Sequence, residues 1–330
     1  MLTIAIPTYN RNIEVAETIA SVLPQLSEVC NLLIIDNHSD IAVSKSLDEK
    51  NIKIEDRPNV RLIRNGINVG SQANLLRCIE LCETEWLWIL GDDDIPCSDA
   101  VGLILNDLSK HIDLTFLNYC SPFHTRDKEV MSSGITEFLE SFEDWGQINF
   151  TSLCILNANK IKPFLRFGFS YAYSWSCINA CLFSCIVEKG GAALFSKKII
   201  LSEIDKCNDD NKWIPLGPHF GKTILLELLP DTQDKKLLAR IMNAKPSLEY
   251  TVCLIQQLMI TSGQHAHYLY LYRNLVHRIY YFNSNLLVSI KIKLYGLLLV
   301  FPKFGLVIIN YFLQRNKRVV KVAKNQFNRL

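Results

Sequence analysis

Strand-like and helix-like segments alternate through the first third of this 330-residue chain, and the alternation limits the possible folds more than any other feature. Each short apolar run is followed by a polar loop and then by apolar residues at helical spacing. This order predicts a mostly parallel α/β sheet flanked by helices on both faces. The predicted strands are residues 3–6, 31–35, 60–63, 85–90 and 114–119, and the predicted helices are residues 13–26, 42–50, 71–82 and 99–110.

The rest of the chain is less regular. Residues 120–148 are polar and predict irregular structure, residues 149–156 predict another strand, and the patterns beyond residue 222 are helical. We therefore expect an α/β domain over residues 1–220, followed by a helical and partly amphipathic C-terminal extension over residues 221–330.

Composition excludes several classes of protein. Hydrophobic residues make up 49% of the chain and charged residues 21%, so disorder is not expected. A net charge of +2 without an RNA-binding signature argues against a nucleic-acid partner. The 11 cysteines lack zinc-site spacing, and Met1 leads into a strand rather than a secretory leader, so we expect a reduced, cytoplasmic compartment.

Three adjacent carboxylates follow the fourth predicted strand. The apolar run at residues 86–90 leads through Gly91 into Asp92, Asp93 and Asp94. Ligands of parallel sheets bind beyond the carboxyl ends of the strands, where these acids are expected. Neighbouring carboxylates repel one another, and a divalent cation bound through oxygen would compensate them. The alternative is that they begin the next helix, since carboxylates favour helix N-termini.

The loop after the first strand contains Pro7, Thr8, Tyr9 and Arg11. Tyr9 offers a flat face on which a base could stack, and Arg11 could serve a phosphate. An ordinary strand-to-helix turn capped by Thr8 or Asn10 would explain the same residues.

Two more polar loops are expected at the same edge. Asp36 could accept hydrogen bonds from ribose hydroxyls or a base N–H, or it could form an Asx-turn with Asn37 and Ser39. Gly70 would allow close backbone approach at a helix N-terminus that favours phosphate, or it could simply start that helix. The first strand–helix turn has no GxGxxG, which argues against a dinucleotide oxidoreductase. Other candidates, in and beside the loop that follows the third predicted strand, are Arg64, Asn68 and Asn74.

Residues 164–175 are dense in aromatic side chains. Such a cluster commonly lines a core, but aromatic faces also bind sugars, so an acceptor platform is the alternative. Its members are Phe167, Phe169, Tyr171, Tyr173 and Trp175.

Taken together, these loops resemble family 2 glycosyltransferases of the GT-A fold. The resemblance covers residues 1–120, with the motifs in the same order and spacing as in that family. The length and the apolar, basic C-terminal half also resemble bacterial enzymes that build O-antigen, capsule or other surface polysaccharides. The matching segments are residues 3–11, 34–40, 68–70 with Asn74, and 91–94.

The resemblance implies a nucleotide-diphosphate sugar as donor, with Tyr9 and Asp36 holding the base and ribose. It also implies transfer of a single sugar, with inversion, to a lipid-linked saccharide acceptor. The candidate donor-binding residues are Pro7, Thr8, Tyr9, Arg11, Asp36, Asn37, Arg64, Asn68, Gly70, Asn74 and Asp92.

The resemblance further implies that the acidic motif carries Mn²⁺ or Mg²⁺ bridging the diphosphate. One alignment matches Asp93 and Asp94 to the final pair of the family motif, with Gly91 in place of its leading acid. A literal D-x-D reading selects Asp92 and Asp94 instead, so all three acids remain candidate metal ligands.

One departure from the family pattern leaves the general base unassigned. Residues 170–185 contain no carboxylate where many relatives carry a Glu-Asp pair, and no Gln-x-x-Arg-Trp follows, which disfavours a processive enzyme. Asp144, Glu188 and Glu203 are candidate bases by residue type only. Two alternatives stay open: a metal-dependent nucleotidyltransferase or phosphatase, and a non-catalytic donor-binding scaffold.

The apolar segment at residues 294–313 predicts contact with a membrane. Pro302 and Lys303 interrupt it, so we expect in-plane, peripheral association with the inner face of the bacterial cytoplasmic membrane rather than a span. The alternative is an apolar helix packed on the catalytic domain. The basic residues expected to meet anionic lipid are Arg315, Lys317, Arg318, Lys321 and Lys324.

Overall fold

A computed structural model describes residues 2–111, 113–143, 145–172, 176–204, 222–242, 286–300, 304 and 307. It forms two compact units, residues 1–210 and residues 211–330. The strands of the first unit are β1 Leu2–Thr8, β2 Cys30–Asp36, β3 Val60–Arg64, β4 Trp86–Ile89, β5 Asp94–Pro96, β6 Leu114–Cys120, β7 Val130–Ser133, β8 Cys154–Asn157, β9 Ala192–Ile199 and β10 Leu201–Ile204.

Helices and short 3₁₀ turns connect these strands. The 3₁₀ turns lie at Leu23–Gln25, Thr151–Leu153 and Lys162–Phe164. The helices of the first unit are α1 Asn12–Val22, α2 Val43–Glu49, α3 Ser71–Leu81, α4 Ala100–Lys110, α5 Gly134–Glu140, α6 Trp145–Asn149, α7 Ala158–Ile161, α8 Leu165–Ser170 and α9 Cys177–Lys189.

The main sheet has eight strands in the order β3-β2-β1-β4-β8-β6-β9-β7. Its first four strands are parallel, with Thr8 of β1 opposite Asp36 of β2, and Asp36 opposite Arg64 of β3. β8 runs antiparallel to both of its neighbours, β6 and β9 are parallel, and β7 is antiparallel to β9. A separate two-stranded sheet pairs β5 with β10. The carboxyl ends of β1 to β4 therefore meet at one edge.

Helices cover both faces of the sheet, because its central strands are apolar on both sides. Ile4 and Trp88 belong to a buried cluster that includes residues of α1, α2 and α4. On the other side α3 contacts β1, β2 and β4, and α8 and α9 pack against α3. Burying a large apolar side chain of this kind contributes about 1.5–3 kcal/mol. The fold class predicted from the sequence is confirmed.

The structure corrects the prediction for residues 120–148. This segment was expected to be irregular, but it contains β7, α5 and α6. The strand is only four residues long and lies at the sheet edge, so its sequence need not carry the apolar run of a central strand. The strand predicted over residues 149–156 begins later, at Cys154, after a 3₁₀ turn.

The second unit is helical where it is described. After a 3₁₀ turn at Lys222–Ile224, its helices are α10 Leu225–Leu228, α11 Thr232–Ile241 and α12 Leu286–Val300. Asp231 caps α11 by accepting a hydrogen bond from the N–H of Gln233 at 2.5 Å. None of the described helices is both long enough and apolar enough to cross a membrane.

Candidate functional site

Asp92 and Asp93 lie in the turn between β4 and β5, and Asp94 is the first residue of β5, at the edge where the parallel strands end. Just before it, the N–H of Leu90 donates to the carbonyl of Ala5 in β1 (2.9 Å), which extends the pairing of the two strands. The N–H of Asp94 donates to the carbonyl of Gly91 (3.2 Å) and closes the turn. The three carboxylates are therefore held together at the sheet edge.

The guanidinium of Arg11 bridges two of these carboxylates. Its Nη1 lies 2.9 Å from Oδ1 of Asp92, and its Nη2 lies 2.6 Å from Oδ2 of Asp93. Burial alone would lower the pKa of Arg11, but the hydrogen bond to Asp93 and the charge of Asp92 outweigh it and raise the pKa. Nε of Arg11 also lies 4.0 Å from Oε1 of Glu14. The phosphate partner expected for Arg11 from the sequence stays a prediction.

Both carboxylate oxygens of Asp92 accept hydrogen bonds from the protein. Oδ1 accepts from Arg11, and Oδ2 accepts from the hydroxyl of Thr8 at 2.7 Å. The hydroxyl of Thr18 in α1 donates to the backbone carbonyl of Asp92 at 3.0 Å. Burial raises the pKa of Asp92 to about 6, although Thr8 and Arg11 oppose the shift. Asp92 thus connects the acidic turn, residues 91–94, to β1 and to the loop that follows β1.

Asp94 has a partner that the sequence analysis missed, the buried hydroxyl of Ser152. This hydroxyl donates to Oδ2 of Asp94 at 2.5 Å and accepts from the N–H of Gly91 at 2.8 Å. Burial raises the pKa of Asp94 to about 6, and the hydrogen bond from Ser152 opposes that rise. No sequence signal identifies Ser152, because the contact depends on β8 lying antiparallel to β4.

The acidic turn can accommodate a divalent cation held by two protein carboxylates. Oδ1 of Asp93 and Oδ1 of Asp94 accept no hydrogen bond from the described residues, so each acid keeps one oxygen for a cation. The turn itself is tight, because a Cβ on Gly91 would lie 2.5 Å from Oδ2 of Asp94, the oxygen that Ser152 already holds. The described residues contain no group of three His, Cys, Asp or Glu side chains arranged as metal ligands. Two carboxylates suffice where substrate phosphates complete the shell, and their oxygens suit Mg²⁺ or Mn²⁺.

Asp36 lies at the end of β2 and is 1% exposed. Its Oδ1 accepts from the N–H of Ser39 at 2.8 Å, and its Oδ2 accepts from Nη1 of Arg64 at 2.9 Å. Arg64 also donates to the carbonyl of Ser39 at 2.6 Å. The N–H of Val43 also lies 3.3 Å from Oδ2. Asp36 is therefore held by donors of the protein itself, and its contact with a nucleotide stays a prediction.

Four asparagines link the loops that follow β2 and β3. Asn65 donates both amide hydrogens, to Oδ1 of Asn37 and to Oδ1 of Asn74, each at 2.9 Å. Asn37 donates to Oδ1 of Asn68 at 2.8 Å. Gly70 begins α3 with φ +85°, a conformation that glycine adopts without strain. These residues fix the shape of the sheet edge mainly through hydrogen bonds to one another.

The loop after β1 is attached to the loop after β2. The N–H of Asn10 donates to the hydroxyl of Ser39 at 2.9 Å, and its Nδ2 donates to Asp40 at 3.0 Å. The N–H of Asn37 donates to the carbonyl of Thr8 at 2.9 Å. Tyr9, in contrast, is 41% exposed. The structure therefore brings the four predicted loops together and leaves one aromatic ring accessible at their edge.

Other predicted residues lie away from the acidic turn or outside the described residues. Phe167 stacks on Phe164 at 6.4 Å between ring centroids, and Phe169 is exposed, both in α8. Glu188 lies near the end of α9 and pairs with Lys189. The predicted residues outside the description are Tyr173, Trp175, Asp144, the side chain of Glu203 and the basic residues beyond 307.

Comparisons with known proteins agree with this geometry. The family described as "Glycosyl transferase family 2" matches residues 3–169, which is half of the chain. Abequosyltransferase RfbV of Salmonella typhimurium is 29% identical over 116 residues, covering 34% of each chain. An uncharacterised glycosyltransferase of Haemophilus influenzae is 26% identical over 161 residues, covering 49% of this chain and 50% of that protein. This chain thus matches half or less of the length of these relatives.

The fold is also found among solved structures. S. aureus TarS 1-349 aligns with a TM-score of 0.56 at 12% identity, covering 92% of this chain and 91% of that chain. The same protein in complex with UDP-GlcNAc aligns with a TM-score of 0.56 at 11% identity, covering 92% of each chain. At such identity the likeness concerns the fold.

Proposed function

Because the chain belongs to glycosyl transferase family 2, we propose that it transfers one sugar from a nucleotide-diphosphate sugar to a lipid-linked saccharide acceptor. The product would be a bacterial surface polysaccharide such as O-antigen or capsule. The observation that carries this proposal is the pair of adjacent carboxylates, Asp93 and Asp94, each of which keeps one oxygen, Oδ1, that accepts no hydrogen bond from the described residues. The similarity to a protein named abequosyltransferase supports sugar transfer as the reaction class.

We assign the metal-binding role to Asp93 and Asp94 and a supporting role to Asp92. Both oxygens of Asp92 have protein donors, whereas Oδ1 of Asp93 and Oδ1 of Asp94 have none among the described residues. When bound, Mn²⁺ or Mg²⁺ would neutralise charge on the leaving diphosphate. Arg11 lies beside this position, so its guanidinium can exchange Asp93 for a phosphate oxygen of the donor.

The nucleotide would lie over the loops that follow β1, β2 and β3. The exposed ring of Tyr9 offers a stacking face for the base. Asp36 holds Arg64 at the edge by an ion pair of 2.9 Å, so we infer that Asp36 acts on the nucleotide through Arg64. The N-terminus of α3 at Gly70 favours a phosphate group. Pro7, Asn37, Asn68 and Asn74 would shape the cleft around the donor.

The transfer itself would invert the anomeric carbon, as the family resemblance implies. A base must remove the proton of the acceptor hydroxyl as attack begins. The chain's own contribution would be the guanidinium of Arg11, which lies beside this position and can stabilise developing negative charge. Asp93 and Asp94 would act on the diphosphate only through the cation that they hold.

The test is to incubate the protein with Mn²⁺ and a panel of nucleotide sugars and to follow nucleoside diphosphate release. Asp93→Ala and Asp94→Ala should each abolish release and metal-dependent donor binding, while circular dichroism shows an intact fold. Asp48→Ala, an exposed acid of α2, is the matched control and should behave like the wild type.

Each competing function predicts a different product. Release of pyrophosphate would favour a nucleotidyltransferase, and release of inorganic phosphate a phosphatase. Donor binding without turnover across lipid-linked acceptors would favour a scaffold, which the absence of a carboxylate at residues 170–185 keeps open. Full activity in both Asp93→Ala and Asp94→Ala would contradict the assignment of the site.

We also propose that the second unit binds the inner face of the cytoplasmic membrane. In α12, the side chains of Ile290, Leu294 and Leu297 are 48%, 55% and 63% exposed. Spacings of four and three residues place them on one face of the helix. Phe304 and Val307 beyond it are 63% and 66% exposed. Exposed apolar faces of this kind, next to basic segments, bind lipid interfaces.

Vesicle sedimentation tests the membrane proposal. Replacing Leu294 and Leu297 together by aspartate should release the full-length protein from phosphatidylglycerol vesicles, because the charges oppose burial among acyl chains. Met131→Asp, an exposed apolar residue of β7, is the control and should stay bound. Unchanged sedimentation of the double variant would favour an apolar helix that packs within the protein.

A further inference from the structure

We propose that Ser152 is a positioning residue for Asp94, fixing which oxygen of that carboxylate is presented to a divalent cation. The inference rests on the metal-binding role proposed for Asp94 and extends it to a residue outside the acidic motif. Ser152 lies 58 residues from Asp94 in sequence and is 1% exposed.

The direction of the hydrogen bonds defines the role of the hydroxyl. The N–H of Gly91 donates to Oγ of Ser152 at 2.8 Å, so this oxygen acts as an acceptor toward the turn. Its single proton is then directed to Oδ2 of Asp94, 2.5 Å away. Oδ1 of Asp94 has no donor among the described residues and is the oxygen left for a ligand. One hydroxyl thus connects the first and last residues of the acidic turn.

Ser152 is itself held by the strand pair that carries the acids. Its carbonyl accepts the indole N–H of Trp88 at 2.9 Å, and Trp88 pairs with Ile155 across β4 and β8. Trp88 is fully buried, so this attachment is shielded from water. The hydroxyl therefore has a fixed position relative to the end of β4.

The backbone of the acidic turn is also restrained by the Thr18 hydroxyl of α1, which lies 3.0 Å from the carbonyl of Asp92 and 3.4 Å from that of Asp94. Rotation of the Asp94 side chain is the freedom that these contacts leave, and the bond from Ser152 removes it. Partners that orient a metal-binding carboxylate commonly change metal affinity or activity by about 10- to 100-fold when they are lost.

The experiment measures binding of Mn²⁺ alone to the full-length protein, by the electron paramagnetic resonance signal of the free ion. Ser152→Ala should weaken Mn²⁺ binding by about 10- to 100-fold. Ser152→Thr, which keeps a hydroxyl donor, should bind close to the wild-type level. Ser152→Cys, of similar size but with a weak donor, should resemble the alanine variant and serves if that variant does not fold.

The matched control is Ser132→Ala, because Ser132 is also buried and its hydroxyl has no hydrogen-bond partner in the described part of the chain. Its Mn²⁺ affinity should equal that of the wild type. Wild-type affinity in Ser152→Ala or Ser152→Cys would overturn the inference. So would a Ser152→Thr variant that folds but binds as weakly as the alanine variant.

Parallel measurements on Asp93→Ala and Asp94→Ala separate this inference from the proposed function. If both acid variants lose Mn²⁺ and the Ser152 variants keep it, the role of Ser152 is wrong while the metal site stands. If both acid variants keep Mn²⁺, the proposed metal site is wrong and the role of Ser152 fails with it.

Discussion

Replacing Asp94 by asparagine should make the metal-free protein more stable at neutral and alkaline pH. Burial, with the charges of Asp92 and Asp93, raises the pKa of Asp94 from 3.8 to about 6, so its ionised form is disfavoured in the folded state. Each pKa unit corresponds to about 1.36 kcal/mol, which gives a cost of about 3 kcal/mol for ionising Asp94 on folding. Asparagine carries no charge and keeps an oxygen that can accept from Ser152.

The pH dependence follows from the direction of the shift. Because the folded-state pKa lies above the unfolded-state value, the wild type loses stability as the pH rises from about 4 to about 6, and the full cost applies above that range. The gain in unfolding free energy for Asp94→Asn should be about 1–3 kcal/mol at pH 8 and about half as large at pH 5. Urea denaturation in EDTA at the two pH values measures both quantities.

A control and a refuting result complete this test. Asp48→Asn, at an exposed position of α2, should leave the unfolding free energy unchanged at both pH values. A loss of stability in Asp94→Asn at pH 8, or a gain of the same size at pH 5 and pH 8, would falsify the reasoning. The stabilised variant should also lose Mn²⁺ binding, as expected where function requires a destabilising charge.

Three further substitutions test other contacts of the site. Gly91→Ala would place a Cβ 2.5 Å from Oδ2 of Asp94 and displace that carboxylate. The Mn²⁺ affinity measured by calorimetry should therefore fall at least about 10-fold. Gly102→Ala is the control and should not change the affinity, because its Cβ would meet nothing within 4 Å. Arg11→Ala should lower the melting temperature in EDTA, because Asp92 and Asp93 lose the guanidinium that compensates their charge. Added Mn²⁺ should then raise the melting temperature of this variant more than that of the wild type. An equal rise in both proteins would contradict the prediction. Asn65→Asp cannot donate to Asn37 and Asn74, so urea denaturation should show a loss of about 1–3 kcal/mol; an unchanged midpoint would contradict the network.

The part of the fold that carries the donor site could be predicted from sequence, because its signals are local. β1, β2 and β4 are apolar runs and β3 has arginines at two of its five positions, and each of the four is followed by a polar loop. Parallel topology then places the ends of these strands at one edge. The predicted helix over residues 71–82 corresponds to α3 at Ser71–Leu81. The acidic turn was likewise expected at the end of β4 because Gly91 alone separates Asp92 from the apolar run.

The rest depended on contacts between distant parts of the chain. Nothing local shows that β8 inserts antiparallel between β4 and β6, and this insertion is what brings Ser152 to Asp94. The pairing of Arg11 with Asp92 spans 81 residues and was not predicted, although both residues were candidates. The short edge strand β7 was missed because a four-residue strand at an edge carries little pattern.

The asparagine network has a consequence for how the two halves of the site respond to their surroundings. Carboxamides carry no net charge and do not titrate, so the bonds among Asn37, Asn65 and Asn74 should hold the same geometry from mildly acidic to alkaline solution and at any ionic strength. The carboxylates of the acidic turn and the guanidinium of Arg11 carry charge, so their interactions depend on ionic strength and, for the carboxylates, on pH. A nucleoside lacking phosphates should therefore bind with an affinity that depends less on pH and salt than the affinity of the corresponding nucleoside diphosphate, whose phosphates would meet the charged turn.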